Sequence, residues 1–261
     1  MQLPKVVHAF NSLTSLHRTP LRDRWLGAVL AFIAGATNAG GFLAVGQYSS
    51  HMTGIVSHAA DELILFHWKP VIVGFLGFVF FVLGSMFAAW CIHWSLRRRL
   101  QTAYGLPFIF QAGSMVVFGL FGAIIGQTGK MLVPLTVLQL CYLMGLQNGA
   151  YGQITLNNGR STHITGMTTD LGVELGKLTY YNRSRDIDKV VADRFKLYTQ
   201  LIMLAAFFIC AVIGSWGFNT IGYITTVPLA CILLLLPARA IQRDWRKLKK
   251  LHFKRQLFKQ L

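Results

Sequence analysis

The same polar pattern occurs twice in this chain. Each copy has a Gly-x-x-Asn group, then a His-x-Thr-Gly group, then a Glu-Leu pair at the same distance after the last glycine. The first copy occupies residues 35–63 and the second occupies residues 145–175. Chance rarely keeps three matched groups in register, so we interpret the pattern as an internal duplication. A duplication this long controls the architecture of the whole chain.

Long uncharged stretches surround both copies. Only 13% of the residues are charged and 54% are hydrophobic, whereas soluble domains average about 25% charged residues. Uncharged runs of about 20 residues are typical of transmembrane helices. We therefore predict six membrane-spanning helices, at residues 25–48, 71–94, 107–127, 131–151, 198–216 and 220–236.

The basic residues are distributed unevenly among the segments that connect these spans. With the N-terminus placed in the cytoplasm, 23 of the 25 lysines and arginines fall on the cytoplasmic side. Cytoplasmic segments of membrane proteins carry such an excess, so we predict that both termini are cytoplasmic. The net charge of +16 then reflects membrane orientation, and no nucleic acid partner is expected. We expect the basic tail at 239–261 to lie on an anionic lipid leaflet, with a solvated tail as the alternative.

The duplication and the span count together predict a fold. We expect a cytoplasmic segment at residues 1–24, a first three-helix repeat at 25–128, a second at 129–238 and the basic tail at 239–261. Because each copy contains an odd number of spans, the two copies should cross the membrane in opposite directions. The predicted fold class is an all-α membrane protein of six transmembrane helices, arranged as two inverted-topology three-helix repeats.

The polar residues of the repeat are the candidate site, because such side chains at membrane depth often mark solute or ion paths. We hypothesise a substrate or ion site formed by Asn38, His51, Thr53, Glu62, Asn148, His163, Thr165 and Glu174, with His58 and Asp170 as secondary candidates. Amides and hydroxyls would coordinate the solute, while carboxylates and imidazoles would couple it to protons. The alternatives are structural: amides could bond neighbouring helices, His-Thr pairs could satisfy backbone groups at a turn, and carboxylates could be solvated.

Local features around these residues predict where helices run. Gly40-Gly41 follows Asn38 and predicts an interruption of the first span, although such small residues also allow close contact with another helix. A short helical segment is predicted after each His-x-Thr-Gly group, at residues 55–66 and 167–178. The second, third, fifth and sixth spans contain few polar residues, and we interpret them as scaffold.

Metal and catalytic sites have weaker support in the sequence. His51, His58 and Glu62 could converge on a metal along one helix face, but Asp170 replaces the second histidine in the other copy. We therefore predict no metal and no cofactor. The sequence lacks HExxH, GxSxG, Walker and GxGxxG-strand motifs, so an enzyme is not expected. A membrane enzyme acting on lipid is one alternative, and a non-catalytic scaffold or partner-binding protein is another.

Two segments carry a family resemblance. Ser50-His51-Met52-Thr53-Gly54 and its repeat Thr162-His163-Ile164-Thr165-Gly166 resemble the YoaK family of bacterial integral membrane proteins, a domain of unknown function. The resemblance covers roughly residues 22–240. It implies a six-span protein of the bacterial inner membrane and no particular substrate. Together with the duplication, it favours a small secondary transporter or permease for an unknown small solute or ion, and an oligomer is compatible with the sequence.

Overall fold

The computed structural model describes residues 10–128, 132–155, 161–182 and 188–247, and within these ranges it contains helices and no strands. In chain order the helices are α1 (Pro20–Val45), α2 (Met52–Ile64), α3 (Trp68–Arg97), α4 (Leu106–Thr128), α5 (Val133–Ile154), α6 (Ile164–Thr179), α7 (Arg194–Thr220), α8 (Thr226–Leu235) and α9 (Ala238–Lys247). A 3-10 turn at Gly222–Thr225 precedes α8.

Several helices are long and apolar enough to cross a membrane, which is characteristic of a multi-pass membrane protein. Among the described residues these are α1, α3, α4 and α7, with a fifth crossing if α8 and α9, which meet at a bend of 53°, form one broken span. The predicted fourth span, α5, is not among them. Four polar side chains lower its mean hydropathy: Gln139, Gln147, Asn148 and Gln153. The structure thus shows four or five candidate spans and not a clear six.

The helices follow the same order in both copies of the sequence repeat. A long helix is followed by a short helix and two further helices, first in α1–α4 and then in α5–α8. The short helices α2 and α6 begin inside the His-x-Thr-Gly groups. They confirm the helical segments predicted at 55–66 and 167–178, except that α2 ends two residues earlier than predicted, at Ile64. Each copy is therefore a four-helix unit whose second helix is short, and in the second copy the fourth helix, α8, is shorter still at 10 residues.

Helices pack across the two copies in a reciprocal way. α1 makes its largest contact with α7, and α3 makes its largest contact with α5. α4 packs against α8, while the short helices α2 and α6 pack against the long helices that follow them. The first helix of each copy is thus held by the third helix of the other copy. Fully buried side chains such as Leu30, Phe118 and Met144 fill the centre of the bundle.

Glycines permit the close approach at both reciprocal contacts. A Cβ atom on Gly35 would lie 2.1 Å from the carbonyl oxygen of Phe207, and one on Gly145 would lie 2.0 Å from that of Phe81. No methyl group fits at such distances, whereas small residues let helix backbones meet in a membrane bundle. The first residue of each Gly-x-x-Asn group is therefore required by helix packing.

The predicted interruption of the first span is wrong. α1 runs without a break over Pro20–Val45 and ends at Gly46, whose φ of 70° provides a left-handed cap. Gly40 instead makes room for a neighbouring ring, since a Cβ atom there would lie 2.4 Å from Phe218. The glycine pair therefore serves close packing, and the helix continues through it.

The two ends of the described chain lie together. The Thr14 hydroxyl donates to the carbonyl oxygen of Leu236 at 2.9 Å, and the Arg239 backbone N–H donates to Asn11 Oδ1 at 2.5 Å. Asp244 of α9 accepts hydrogen bonds from two backbone N–H groups that precede α4. These contacts place the segment before α1 beside the end of α8. Most of the predicted basic tail, from residue 248 onward, lies outside the described residues.

Candidate functional site

A cavity of about 1320 Å³ lies between the two copies. Six of the eight residues predicted for the site line it, namely Asn38, His51, Thr53, Asn148, His163 and Thr165. The structure thus brings the amide, imidazole and hydroxyl groups of both motif copies to one space.

Six helices surround this cavity. α1 and α5 provide two walls, the N-terminal ends of α2 and α6 provide two more, and α3 and α7 complete the enclosure. α3 contributes Phe81 and Ser85, and α7 contributes Phe207 and Ser215. The scaffold role predicted for these two spans does not hold, because both reach the cavity. α4 and α8 supply none of the described lining residues, as expected for scaffold.

The two asparagines hold equivalent positions in the walls. Asn38 Nδ2 donates to Ser50 Oγ at 2.6 Å, and Asn148 Nδ2 donates to Thr162 Oγ1 at 2.6 Å. Both asparagines are buried, with exposures of 5% and 4%. Each amide therefore ties a long helix to the residue just before the motif histidine, and it fixes the loop that leads into the short helix.

The two histidines occupy the N-cap positions of the short helices. His51 precedes α2 and His163 precedes α6, and neither side chain makes a capping hydrogen bond. Each ring lies against the motif glycine: a Cβ atom on Gly54 would lie 2.1 Å from His51 Cδ2, and one on Gly166 would lie 2.6 Å from His163 Nδ1. The glycine of His-x-Thr-Gly is thus the surface on which the imidazole rests.

The first turns of both short helices face the cavity. The N-cap histidine and the first two residues of each helix are all lining residues, including Thr53 and Thr165 at the second helical position. The first N–H groups of a helix have no partner within the helix, and this end carries a partial positive charge. Two positive helix ends therefore meet one space, and no Asp, Glu, Lys or Arg occurs among its described lining residues.

The two repeat glutamates lie outside the cavity lining. Glu174 is buried, with 2% exposure; its Oε1 accepts from Lys177 Nζ at 2.9 Å and its Oε2 accepts from the Asp193 backbone N–H at 2.8 Å. These two hydrogen bonds, that from Lys177 first, hold the pKa of Glu174 below its usual value. Because Asp193 is the N-cap of α7, the carboxylate fastens the end of α6 to the start of the next helix.

Glu62 makes the equivalent junction in the first copy. Its Oε2 lies 2.8 Å from Nδ1 of His67, and His67 is the N-cap of α3. The glutamate of each copy therefore joins the far end of a short helix to the beginning of the long helix that follows.

The secondary candidates also lie away from the cavity. His58 Nδ1 is 3.9 Å from Glu62 Oε1, and Asp170 bonds to Lys196 at 3.1 Å and to Gln200 at 3.2 Å. Among the described residues, no group of three or more His, Cys, Asp or Glu side chains is arranged to hold a metal ion.

Sequence reasoning missed two pairs of hydroxyl residues in the cavity. Ser50 and Thr162 directly precede the motif histidines, so the repeat alignment could have revealed them. Ser85 and Ser215 each follow a glycine in the third helix of their copy, a Gly-Ser match that was also visible in the sequence. The Ser85 hydroxyl donates to the carbonyl oxygen of Gly145 at 2.9 Å, at the reciprocal helix contact.

A buried chain of hydrogen bonds connects α4 with the cavity. Gln111 Nε2 donates to Gln147 Oε1 at 2.5 Å, and Gln147 Nε2 donates to Ser161 Oγ at 2.8 Å. Ser161 Oγ in turn donates to Asn148 Oδ1 at 3.3 Å. All of these side chains are buried, so the network fixes the orientation of the Asn148 amide in the wall.

The corresponding amide of the first copy lacks hydrogen bonds to its oxygen. Asn148 Oδ1 accepts from Ser161 Oγ and from the Thr162 backbone N–H, each at 3.3 Å. Asn38 Oδ1 has no hydrogen-bond partner in the described part of the chain, and neither has Ser49 Oγ, the counterpart of Ser161. The two copies therefore share one geometry but differ in whether this oxygen is satisfied.

Comparison with known families assigns both copies to one domain. Residues 26–238 match the family described as "Protein of unknown function (DUF1275)". The chain belongs to the DUF1275 family. The match covers most of α1 and continues through α8, so the repeat and its cavity are features of a single DUF1275 domain. The YoaK designation itself stays a prediction. No curated protein and no solved structure matches the chain.

Proposed function

We infer that this DUF1275 protein is a small secondary transporter that moves a polar solute through the cavity between its two copies. One observation carries the proposal: equivalent residues of both copies line a single space of about 1320 Å³. Solute sites of transporters built from inverted repeats lie at the repeat interface, where short or interrupted helices direct their ends at the solute.

The transport proposal includes six spans in two inverted repeats. The spans are α1, α3 and α4 in the first copy and α5, α7 and the bent pair α8–α9 in the second, with α2 and α6 entering only part of the way. α5 can cross because its amides face the protein interior or the cavity and not lipid, Gln147 and Asn148 being 0% and 4% exposed. The reciprocal helix contacts and the adjacent chain ends support this arrangement.

The motif residues take separate roles in this proposal. His51, Thr53, His163 and Thr165 contact the solute, and the two asparagines orient the entry to each short helix. Glu62 and Glu174 act at the helix junctions, where they transmit movement of α2 and α6 to α3 and α7. Coupling to protons would then depend on the cavity histidines.

The membrane placement is part of the same proposal. The protein resides in a bacterial inner membrane with both termini in the cytoplasm, as the distribution of Lys and Arg predicts. Arg243, Arg246 and Lys247 are exposed on α9 and would contact anionic headgroups on that side.

A flux screen in proteoliposomes tests this function. Labelled organic acids, amino acids, sugars and inorganic ions are offered with and without a pH gradient. We expect at least one solute to enter faster than into protein-free liposomes, and the double variant His51→Ala with His163→Ala to lose most of that flux. His93→Ala, an exposed histidine of α3, is the matched control and should keep it.

Two results would count against transport. Equal flux in wild type and the double variant would remove the motif histidines from the mechanism, and absence of flux for every solute would contradict the proposal itself. Conversion of lipid in detergent without a gradient would favour the membrane enzyme instead.

A further inference from the structure

We propose that α2 is the mobile wall of the cavity in this conformation and α6 the fixed wall, so that a transport cycle starting from it opens by movement of α2. The inference rests on the transport function proposed above and deepens it, because it names the element that controls access to the site. The two equivalent helices differ in how many bonds hold them to the rest of the bundle.

The loop that leads into α6 is bonded firmly to α5. Asn148 Oδ1 accepts from the Ser161 hydroxyl and from the Thr162 backbone N–H, and Asn148 Nδ2 donates to Thr162 Oγ1. Gln147 Nε2 also donates to Ser161 Oγ at 2.8 Å. Four hydrogen bonds therefore connect residues 161–162 with two neighbouring amides of α5.

The loop that leads into α2 is held by fewer bonds. Asn38 Nδ2 donates to Ser50 Oγ at 2.6 Å, while Asn38 Oδ1 and Ser49 Oγ have no partner in the described part of the chain. Each of these two atoms has less than 1 Å² of accessible surface, so solvent does not compensate them. Because a buried polar group without a partner is costly, the loop is less stable in this position than its counterpart before α6.

One difference in sequence between the copies accounts for this. The third residue of the Gly-x-x-Asn group is Gln147 in the second copy and Thr37 in the first. Gln147 is long enough to reach Ser161, whereas the Thr37 hydroxyl donates to the carbonyl oxygen of Ile33 in its own helix at 2.8 Å. Ser49 therefore lacks the donor that Ser161 receives, and the first loop is the weaker of the two.

The middle of α6 is also bonded to its neighbour, unlike the middle of α2. Asp170 of α6 bonds to Lys196 at 3.1 Å and to Gln200 at 3.2 Å, both on α7. The equivalent residue of α2 is His58, which lies 3.9 Å from Glu62 of the same helix and bonds to no side chain of α3 among the described residues. Polar contacts therefore fasten α6 to α7 at a point where α2 has none to α3.

These differences determine which helix opens more often. Each hydrogen bond changes an opening equilibrium by about fivefold, and the loop before α6 has three more than the loop before α2. Both helices are joined at their far ends to the next long helix. Movement of α2 is therefore a tilt that displaces its cavity end, with His51 and Thr53, while the α6 wall stays in place.

Hydrogen exchange on the purified full chain in detergent tests this difference. The Ile55 N–H donates to the His51 carbonyl oxygen at 3.0 Å, and the Met167 N–H donates to that of His163 at 2.9 Å. These equivalent amides exchange when the first turn of their helix opens. We expect the protection factor of Met167 to exceed that of Ile55 by about tenfold or more. Equal protection, or greater protection of Ile55, would overturn the inference.

Matched variants locate the cause of the protection. Ser161→Ala removes two bonds of the second loop and should lower the protection of Met167 about tenfold. Ser49→Ala removes a hydroxyl without a partner in the described chain, so the protection of Ile55 should not fall. Gln139→Leu, which removes an amide of α5 that bonds to α4, should leave Met167 unchanged. Unchanged protection in Ser161→Ala, or an equal loss in Gln139→Leu, would contradict the role of the loop bonds.

Thiol labelling measures the opening at the same two positions, after Cys231→Ser removes the exposed native thiol. Ser49 and Ser161 are 2% and 0% exposed, so a maleimide reaches Ser49→Cys or Ser161→Cys only when the loop opens. We expect Ser49→Cys to be labelled about tenfold faster or more, even though Ser161→Cys has itself lost bonds of its loop. Equal labelling rates would overturn the inference.

None of these measurements uses a solute, so they are independent of transport. Absence of flux with the difference between α2 and α6 preserved contradicts only the transport function. Flux in a protein whose two short helices are equally protected contradicts only this inference.

Discussion

At the scale of single residues, the His-x-Thr-Gly group has a steric explanation. The histidine ring lies over the first turn of the short helix, and glycine is the only residue that leaves room for it. This accounts for a histidine and a glycine three positions apart in both copies without any unusual backbone angle at the glycine. The imidazole is thereby held at the cavity edge, where it can meet a solute.

Replacing that glycine should displace the imidazole. In Gly166→Ala the new Cβ atom would lie 2.6 Å from His163 Nδ1, so the ring must move, whereas at Gly172 in the same helix nothing lies within 4 Å. Alanine generally stabilises a helix interior by about 1 kcal/mol relative to glycine. We expect Gly172→Ala to raise the unfolding midpoint and keep the solute flux of the wild type in proteoliposomes, and Gly166→Ala to lower that flux. Equal behaviour of the two variants would contradict the packing role of the ring.

The junction at Glu174 should make stability depend on pH. Its pKa is lowered in the folded state by Lys177 and the Asp193 N–H. Such a group stabilises the fold above its unfolded pKa, and this contribution is lost as the pH falls through the folded pKa. We expect Glu174→Gln to lower the unfolding midpoint near pH 7 and to lose less stability than wild type on acidification toward pH 4. Asp61→Asn, which alters an exposed carboxylate, serves as the control. If Glu174→Gln had the same dependence of stability on pH as the wild type, the carboxylate would not stabilise the junction between α6 and α7.

At the scale of helices, the sequence revealed more about repetition than about packing. Both short helices and the matched order of polar groups were predictable, because their signals are local periodicity and identical residue types. The unbroken course of α1 was not, because Gly40 looks the same in sequence whether it breaks a helix or admits the ring of Phe218. The part that α3 and α7 play in the cavity was also missed, since single serines in apolar spans carry little signal alone.

The helix contacts at the motif glycines should be intolerant of a methyl group. Gly145→Ala would place a Cβ atom 2.0 Å from the carbonyl oxygen of Phe81, a backbone atom that cannot rotate away, while Gly113 has nothing within 4 Å. Overpacking of this kind typically costs about 1–3 kcal/mol or more. We expect Gly145→Ala to lower the thermal unfolding midpoint in detergent markedly and Gly113→Ala to keep or raise it, as at Gly172. A midpoint for Gly145→Ala equal to that of Gly113→Ala would argue against tight α3–α5 packing.

At the scale of the whole molecule, the duplicated halves are similar in architecture and unequal in detail. The exchange of partners, α1 with α7 and α3 with α5, was not predicted, because the sequence contains no measure of which helices touch. The difference at Asn38 was not predictable, because Ser49 and Ser161 are the same residue type in the same register. Only the arrangement of neighbouring groups distinguishes them.

This difference in hydrogen bonding between the two copies predicts opposite effects for serine-to-alanine substitutions at equivalent positions. If the halves exchange states during transport, Ser161→Ala removes a bond present in this conformation, and Ser49→Ala removes one that forms only in the other. Ser215→Cys introduces a thiol in the cavity wall, and its labelling reports which of the two states is populated. Cys231→Ser first removes the exposed native thiol and leaves the three buried ones. We expect Ser161→Ala and Ser49→Ala to change the rate of labelling by an impermeant maleimide, added from one side, in opposite directions. Changes in the same direction would show that the serines do not report alternate states.

The carboxylate junctions have a mechanical consequence for α2 and α6. Each short helix is anchored at its far end to the next long helix, through Glu62 and His67 in one copy and Glu174 and Asp193 in the other. Its near end carries an imidazole that no capping bond holds. A tilt of the short helix about its anchored far end would therefore move the near end most, at the place where a solute would sit, and the bonds from Asn38 to Ser50 and from Asn148 to Thr162 would limit that movement.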